Sequence, residues 1–177
     1  VWAKVLQSRG EMGYPYIFLT DNANNGAADV YKDKKLPIYA SNLCTEIMLP
    51  SNHDWSFVCV LSSINVLHYD KWKDTDAVET MIYFLDAVIT EFLEKLEVYK
   101  NSDNRDDQQT FLFMERAYNF SKENRALGMG VLGWHSLLQS KMLPFDSQGA
   151  YDLNSEVFKN IKEHSNKASK HLAEKFG

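Results

Sequence analysis

Cysteine is scarce in this 177-residue chain, which holds only Cys44 and Cys59. A secreted disulfide scaffold needs more, so a reducing, cytoplasmic setting is expected. Eight glycines and four prolines are too few for a collagen-like repeat. No apolar run approaches the ~20 residues that a membrane helix needs, so no membrane partner is expected. Positive charge is in deficit, with 19 Lys+Arg against 24 Asp+Glu and a formal charge of −5. That argues against a nucleic-acid grip, which clusters Lys and Arg against phosphates. What remains, 45% hydrophobic and 24% charged residues, is the balance of a folded protein and excludes disorder. The length suits one domain, or a piece of one, with a real core. An initiator methionine and a signal-peptide pattern are also lacking. The chain opens on VWAKVLQSRG and closes on Phe176-Gly177, where a helix is expected to stop on its glycine. The ends are expected to be those of a segment from a longer protein.

Residues 14–20, YPYIFLT, are aromatic and β-branched and predict a strand. The run from Asp21 to Lys35, with DNANNGAAD and KDKK, predicts a charged surface loop. Residues 38–49, IYASNLCTEIML, are bracketed by Pro37 and Pro50, which keep them out of a regular element. A second strand is predicted over 55–67, WSFVCVLSSINVL, with FVCVL as its buried centre. Past Trp72 the period becomes helical: Val78, Met81, Ile82, Leu85, Val88, Ile89, Phe92, Leu93 and Leu96 share one face. Asp76 and Glu79 have the spacing of a capping box at its start. A solvated turn is expected over 100–109, helices over 110–122 and about 126–141, and a long final helix over 147–176. Val157, Ile161, Ala168 and Leu172 should face inward on that last helix. Strands precede helices, so the class is α/β: residues 1–72 carry strands and a loop, and 73–177 are mainly helical.

The segment from Ser41 to Glu46 is the most unusual. It sets an amide, a thiol and a carboxylate at alternate positions, Asn42, Cys44 and Glu46. In extended chain that spacing turns all three to one side. Such polar convergence in an apolar segment is costly unless something fills the spot. A small, partly buried cysteine with two surface neighbours is the plainer account of the same residues. Cys59, centred in FVCVL, reads as an inert thiol in a buried strand. The cysteines form no CxxC and have no clustered histidines, so zinc is not expected. Residues 128–133, GMGVLG, match G-x-G-x-x-G, but a dinucleotide fingerprint must follow a strand. The preceding ERAYNFSKENRAL is helix-like, so the fingerprint is rejected in favour of close packing by small residues. Among the histidines, His53 and His68 are the near candidates for a Cys–His hydrolase with Cys44. His164 and His171 read as solvated, and Phe111, Phe113, Tyr118 and Phe120 as core.

Five co-linear segments carry a family resemblance. Ser41-Asn42-Leu43-Cys44-Thr45-Glu46-Ile47 resembles the active-site loop of the ribonucleotide reductase large subunit. Residues 13–17, GYPYI, resemble the strand leading to that loop, and 57–65, FVCVLSSIN, the strand bearing a redox cysteine. Residues 124–133, NRALGMGVLG, resemble the family's glycine-containing helical signature, and 168–173, ASKHLA, the helix after it. The resemblance implies a fragment of a ten-stranded α/β barrel with a finger loop. It implies that Cys44 carries a transient thiyl radical and takes the hydrogen at C3′ of the substrate ribose. Glu46 is then the general base for the 3′-hydroxyl, in a position expected to be buried, and Asn42 holds the ribose hydroxyls. Ser41, Asn42, Leu43, Cys44, Thr45 and Glu46 together line the substrate, and Cys59 is one of two reducing thiols.

In the family the partner of Cys59 lies upstream, so Cys44 and Cys59 are not each other's disulfide partner. The resemblance further implies a radical supplied by a di-metal small subunit, with no cofactor on this segment. Nucleoside triphosphate effectors bind elsewhere in the full subunit. Thioredoxin or glutaredoxin, the rest of the large subunit and a second copy in a homodimer are the implied partners. A lone segment should be inactive and leave apolar strand edges exposed. A split or remnant segment that only assembles with other chains is the alternative.

Overall fold

The structure is a computed structural model in which residues 1–176 are described. The helix stop expected at Gly177 lies outside them. The described residues form eight α-helices, one 3₁₀ turn and a two-stranded parallel sheet, in two compact units.

The first unit comprises Val1–Val58 with Met114–Phe120. Helix α1 (Trp2–Met12) ends where Gly13 takes the left-handed conformation, φ 75°, and donates its N–H to the Arg9 carbonyl. The strand expected over 14–20 does not form. The Tyr14 carbonyl accepts from Ser8 Oγ at 2.9 Å and the Pro15 carbonyl from Arg9 Nη1 at 3.3 Å. Side chains of α1 thus occupy acceptors that a neighbouring strand would need. Within the expected loop the chain makes two short helices, α2 (Thr20–Asn25) and α3 (Asp29–Asp33). Residues 34–60 are irregular, as the bracketing prolines predict for 38–49. Their far end is pinned to the middle of a later helix. Arg116 Nη2 donates to the Asn52 carbonyl at 2.7 Å, and the Arg116 carbonyl accepts from Ser56 N. Trp55 and Phe57 meet the buried Phe120 ring edge-on, with centroids 6.2 and 6.3 Å away.

The second unit comprises Cys59–Phe113 and the residues from Ser121 on. Strand β1 (Leu61–Asn65) pairs in parallel with β2 (Gly128–Leu132), Leu61 opposite Gly128 and Asn65 opposite Leu132. A parallel pair needs a crossover. The chain supplies it through the 3₁₀ turn Val66–His68, α4 (Tyr69–Trp72), α5 (Ala77–Lys100) and α6 (Arg105–Asn124). Helices α7 (Trp134–Ser140) and α8 (Gln148–Phe176) follow β2. The strand predicted over 55–67 is therefore shorter, and Cys59 is exposed ahead of it. The helix predicted over 126–141 is β2 followed by α7.

One sheet face, with Ile64, Met129 and Val131, packs on a core of Val66, Tyr69, Val78, Leu137, Val157 and Ile161. The glycine run explains itself on the other face. A Cβ on Gly128 would overlap the Leu61 side chain, and one on Gly133, at φ 81°, would overlap Asn65 Oδ1. These glycines let β2 and the following turn approach β1, which is the close-packing role and not a phosphate cradle. On α6 three of the expected core aromatics are buried, but Phe113 is 80% exposed. That helix also begins at Arg105, with Asn104 Oδ1 accepting from Asp106 N, so the solvated turn ends earlier than expected. On α8, Val157, Ile161 and Ala168 are buried and Leu172 is half-buried. No described helix is long and apolar enough to cross a membrane.

The capping box at the start of α5 does not form. Asp76 makes no side-chain cap bond, and Thr75 Oγ1 accepts from Ala77 N instead. Glu79 turns inward, its side chain only 7% exposed, and ties α5 to α8. His164 Nδ1 lies 2.8 Å and Lys167 Nζ 3.3 Å from Glu79 Oε1. His164 is thereby an inter-helix partner and not the solvated residue expected. Burial alone pushes the Glu79 carboxyl up. Hydrogen bonds from His164, its own backbone and Lys167 together outweigh burial and hold it below its ordinary value. A carboxyl lowered by folding stabilises the fold above its unfolded range, and that contribution fades as pH falls through the folded value. Glu79→Gln is expected to cost about 1–3 kcal/mol at neutral pH. In denaturant melts across pH, its stability should fall less steeply than the parent's as acid is added below about pH 4.5.

Candidate active site

Residues 38–47 lie in the first unit and contain no regular element, so their shape comes from turns and side-chain bonds. Thr45 N donates to the Asn42 carbonyl at 3.1 Å, closing a tight turn with Leu43 and Cys44 at its centre. Leu43 is 92% exposed at the tip, and Cys44 beside it is exposed. Thr45 then takes a left-handed backbone, φ 64°. A β-branched residue there is a genuine outlier, and such strain concentrates at functional sites.

The Asn42 carboxamide organises the descending limb of the turn. Its Oδ1 accepts from Glu46 N at 3.2 Å and Ile47 N at 3.1 Å, bridging the turn from below. Its Nδ2 donates to Glu46 Oε1 at 2.8 Å. Ser41 Oγ donates to the Ile47 carbonyl at 2.8 Å and closes the neck of the loop. Asn42 and Glu46 therefore do meet, on either side of the cysteine. The route differs from extended alternation: the chain reverses at Leu43-Cys44, and the polar pair closes across the reversal. Nor is the loop tip enclosed, since Cys44 and Glu46 are exposed in this chain. The burial expected of Glu46 is not found in these residues.

The remaining candidates lie outside this turn of the chain. Cys59 is the first residue of the second unit. It is exposed, and the N–H of Gly128 donates to the neighbouring Val60 carbonyl at 2.9 Å, extending the β1–β2 ladder towards it. The buried, inert thiol expected from FVCVL is thus corrected. His53 is fully solvated and lies 3.2 Å from Asp54 Oδ1. Among the described residues, no three His, Cys, Asp or Glu side chains are grouped to hold a metal ion. Sequence patterning misses Asn24, whose carboxamide bonds the backbone of Ile38 at the base of the loop. It lies in the polar DNANN stretch, and no periodicity marks it out.

Comparison with known proteins identifies the family of the chain. A family model described as the ribonucleotide reductase barrel domain matches residues 1–177. The chain is 36% identical over 177 residues to a Frog virus 3 protein that carries a provisional ribonucleoside-diphosphate reductase large-subunit name. It is 32% identical over 175 residues to the ribonucleoside-diphosphate reductase large subunit of Invertebrate iridescent virus 3. These matches cover 100% and 98% of this chain but 29% and 26% of those proteins. In structure it resembles the Actinobacillus ureae class Id ribonucleotide reductase alpha subunit, with TM-score 0.85 and 52% identity. That likeness covers 99% of this chain and 32% of the other. The chain belongs to the ribonucleotide reductase barrel-domain family, and its helix-rich α/β fold is that of part of such a barrel.

Asn42→Ala removes the acceptor shared by two loop amides. Amide exchange at Glu46 and Ile47, monitored by NMR, should then accelerate about tenfold, the worth of roughly one net hydrogen bond. The amides of α5 and α8 should keep their rates.

Proposed function

We propose that this member of the barrel-domain family supplies the radical-bearing loop of a ribonucleoside-diphosphate reductase. Reduction of ribonucleotides to deoxyribonucleotides is the activity it would serve, in a cytoplasmic setting. The observation that carries the proposal is the turn itself. A thiol sits at the tip of a strained reversal, with Asn42 and Glu46 joined across it at 2.8 Å. The match of the whole chain to the barrel-domain model supports the same reading.

In this account a di-metal small subunit supplies the oxidising equivalent, and Cys44 holds it as a thiyl radical. The Cys44 sulfur takes the hydrogen atom from C3′ of the ribose and later returns it. Glu46 accepts the proton of the 3′-hydroxyl, a general-base role that needs a carboxylate beside the ribose. The Asn42 carboxamide orients the ribose hydroxyls, with Ser41, Leu43 and Thr45 shaping the same surface. The 2′-hydroxyl departs as water. Two thiols, Cys59 being one, give up two electrons and two protons and end as a disulfide. Thioredoxin or glutaredoxin returns that pair to the thiol form.

The exposure of Cys44 and Glu46 is that of the 177 residues by themselves. A radical sulfur needs a water-excluded cavity, which the other segments of a complete ten-stranded barrel would provide. Those segments and a homodimer partner are proposed components of the working enzyme, with nucleoside triphosphate effectors bound outside this segment. A chain acting only as an assembly partner is the reading to be beaten.

In the assembled enzyme, Cys44→Ser should abolish deoxyribonucleotide formation while nucleotide affinity, measured by calorimetry, stays within about threefold of the parent. Turnover by that variant would overturn the radical assignment. Glu46→Gln should lower kcat by roughly 100-fold or more, the usual scale for loss of a positioned base.

A further inference from the structure

Ile38 is fully buried, yet it belongs to no helix or strand. Its buried N–H and C=O must still find partners. One side chain meets both. Ile38 N donates to Asn24 Oδ1 at 2.9 Å, and Asn24 Nδ2 donates to the Ile38 carbonyl at 2.8 Å. This is the reciprocal two-bond pattern by which a residue in a strand pairs with its opposite neighbour. A carboxamide reproduces it because donor and acceptor lie side by side in one plane. The second hydrogen of Nδ2 goes to the Thr20 carbonyl at 2.9 Å, so helix α2 fixes the orientation of the group.

From Ile38 the chain runs three residues to Ser41. There Oγ ties the ascending limb to the Ile47 carbonyl, and Asn42 Oδ1 ties it to the amides of Glu46 and Ile47. A continuous set of bonds therefore runs from α2 through Asn24 and Ile38 to both limbs of the turn that presents Cys44. We propose that Asn24 is a positioning residue for the Cys44 loop. It acts through the backbone and touches no reacting atom. The inference rests on Cys44 being the radical-bearing residue and adds the side chain that sets where its sulfur stands. No other side chain keeps the arrangement: Asp lacks the donor, Ala lacks both groups, and Gln carries an extra methylene.

The test compares Asn24→Ala and the isosteric Asn24→Asp in the full chain, assembled with the partners that support reductase turnover. Both should lower kcat roughly 10- to 100-fold, the scale of a small misplacement of a reacting group. KM should stay within about threefold, since no substrate contact is removed. Amide exchange should rise at Ile38, Glu46 and Ile47 but hold in α5 and α8. Parent-like kcat and loop exchange in both variants would overturn the proposal. So would a kcat loss accompanied by a rise in exchange across α5 and α8, which marks general destabilisation. Cys44→Ser in the same assay separates the two readings. Turnover without the Cys44 thiol sinks the radical assignment, whereas turnover lost there but intact in both Asn24 variants sinks only the positioning role.

Discussion

A backbone without a ladder or helix must still satisfy its buried polar groups, and that constraint governs the irregular stretch 34–60. Three short polar side chains answer it. Asn24 pairs with Ile38, Ser41 bridges to Ile47, and Asn42 caps the far side of the turn. Each bond joins a side chain to backbone, so each fixes a main-chain position and not merely a surface contact. The strained φ of Thr45 is tolerable because bonds on both sides of it are made. At the other end, Arg116 and the Phe120 ring hold residues 52–57. A loop of this length thus has a defined shape with no regular structure of its own.

In the second unit a different economy holds. Two strands of five residues make one face against the apolar core, and on the other Gly128 and Gly130 leave room for Leu61 and Ser63 opposite them. The pattern G-x-G-x-x-G arises here from close approach of two chains. The same letters mark phosphate binding elsewhere only when a strand precedes them and a helix comes after. Here the glycines are the strand.

Legibility in the sequence tracks the length and period of each element. Helices α5 and α8 are long enough for the apolar period to repeat many times, and both stand where expected. Helices α2 and α3, of six and five residues in polar sequence, are too short for any period to register. The aromatic run at 14–20 has strand propensity, but propensity acts through neighbours on a sheet, and its first two carbonyls, of Tyr14 and Pro15, accept from side chains of α1. Likewise β2 exists because β1 lies beside it, a partner remote in sequence from glycines that disfavour strands on their own. At the candidate site, the alternation of Asn42, Cys44 and Glu46 marks the segment as unusual, and the family resemblance assigns the roles. Their geometry stays hidden, because a reversal closed by hydrogen bonds leaves no periodic trace. Asn24 is illegible for the same reason.

Both ends of the Asn42 carboxamide are engaged before any ligand arrives: Nδ2 donates to Glu46, and Oδ1 accepts from two amides. A molecule that takes over one of those bonds substitutes for a partner already in place, so the count of hydrogen bonds is conserved on binding. Affinity gained there is consequently small, while a misfit ligand leaves a polar group stranded and is penalised heavily. In the proposed role the loop would therefore discriminate between ligands more than grip them, and the grip would come from elsewhere on the surface that the ligand meets.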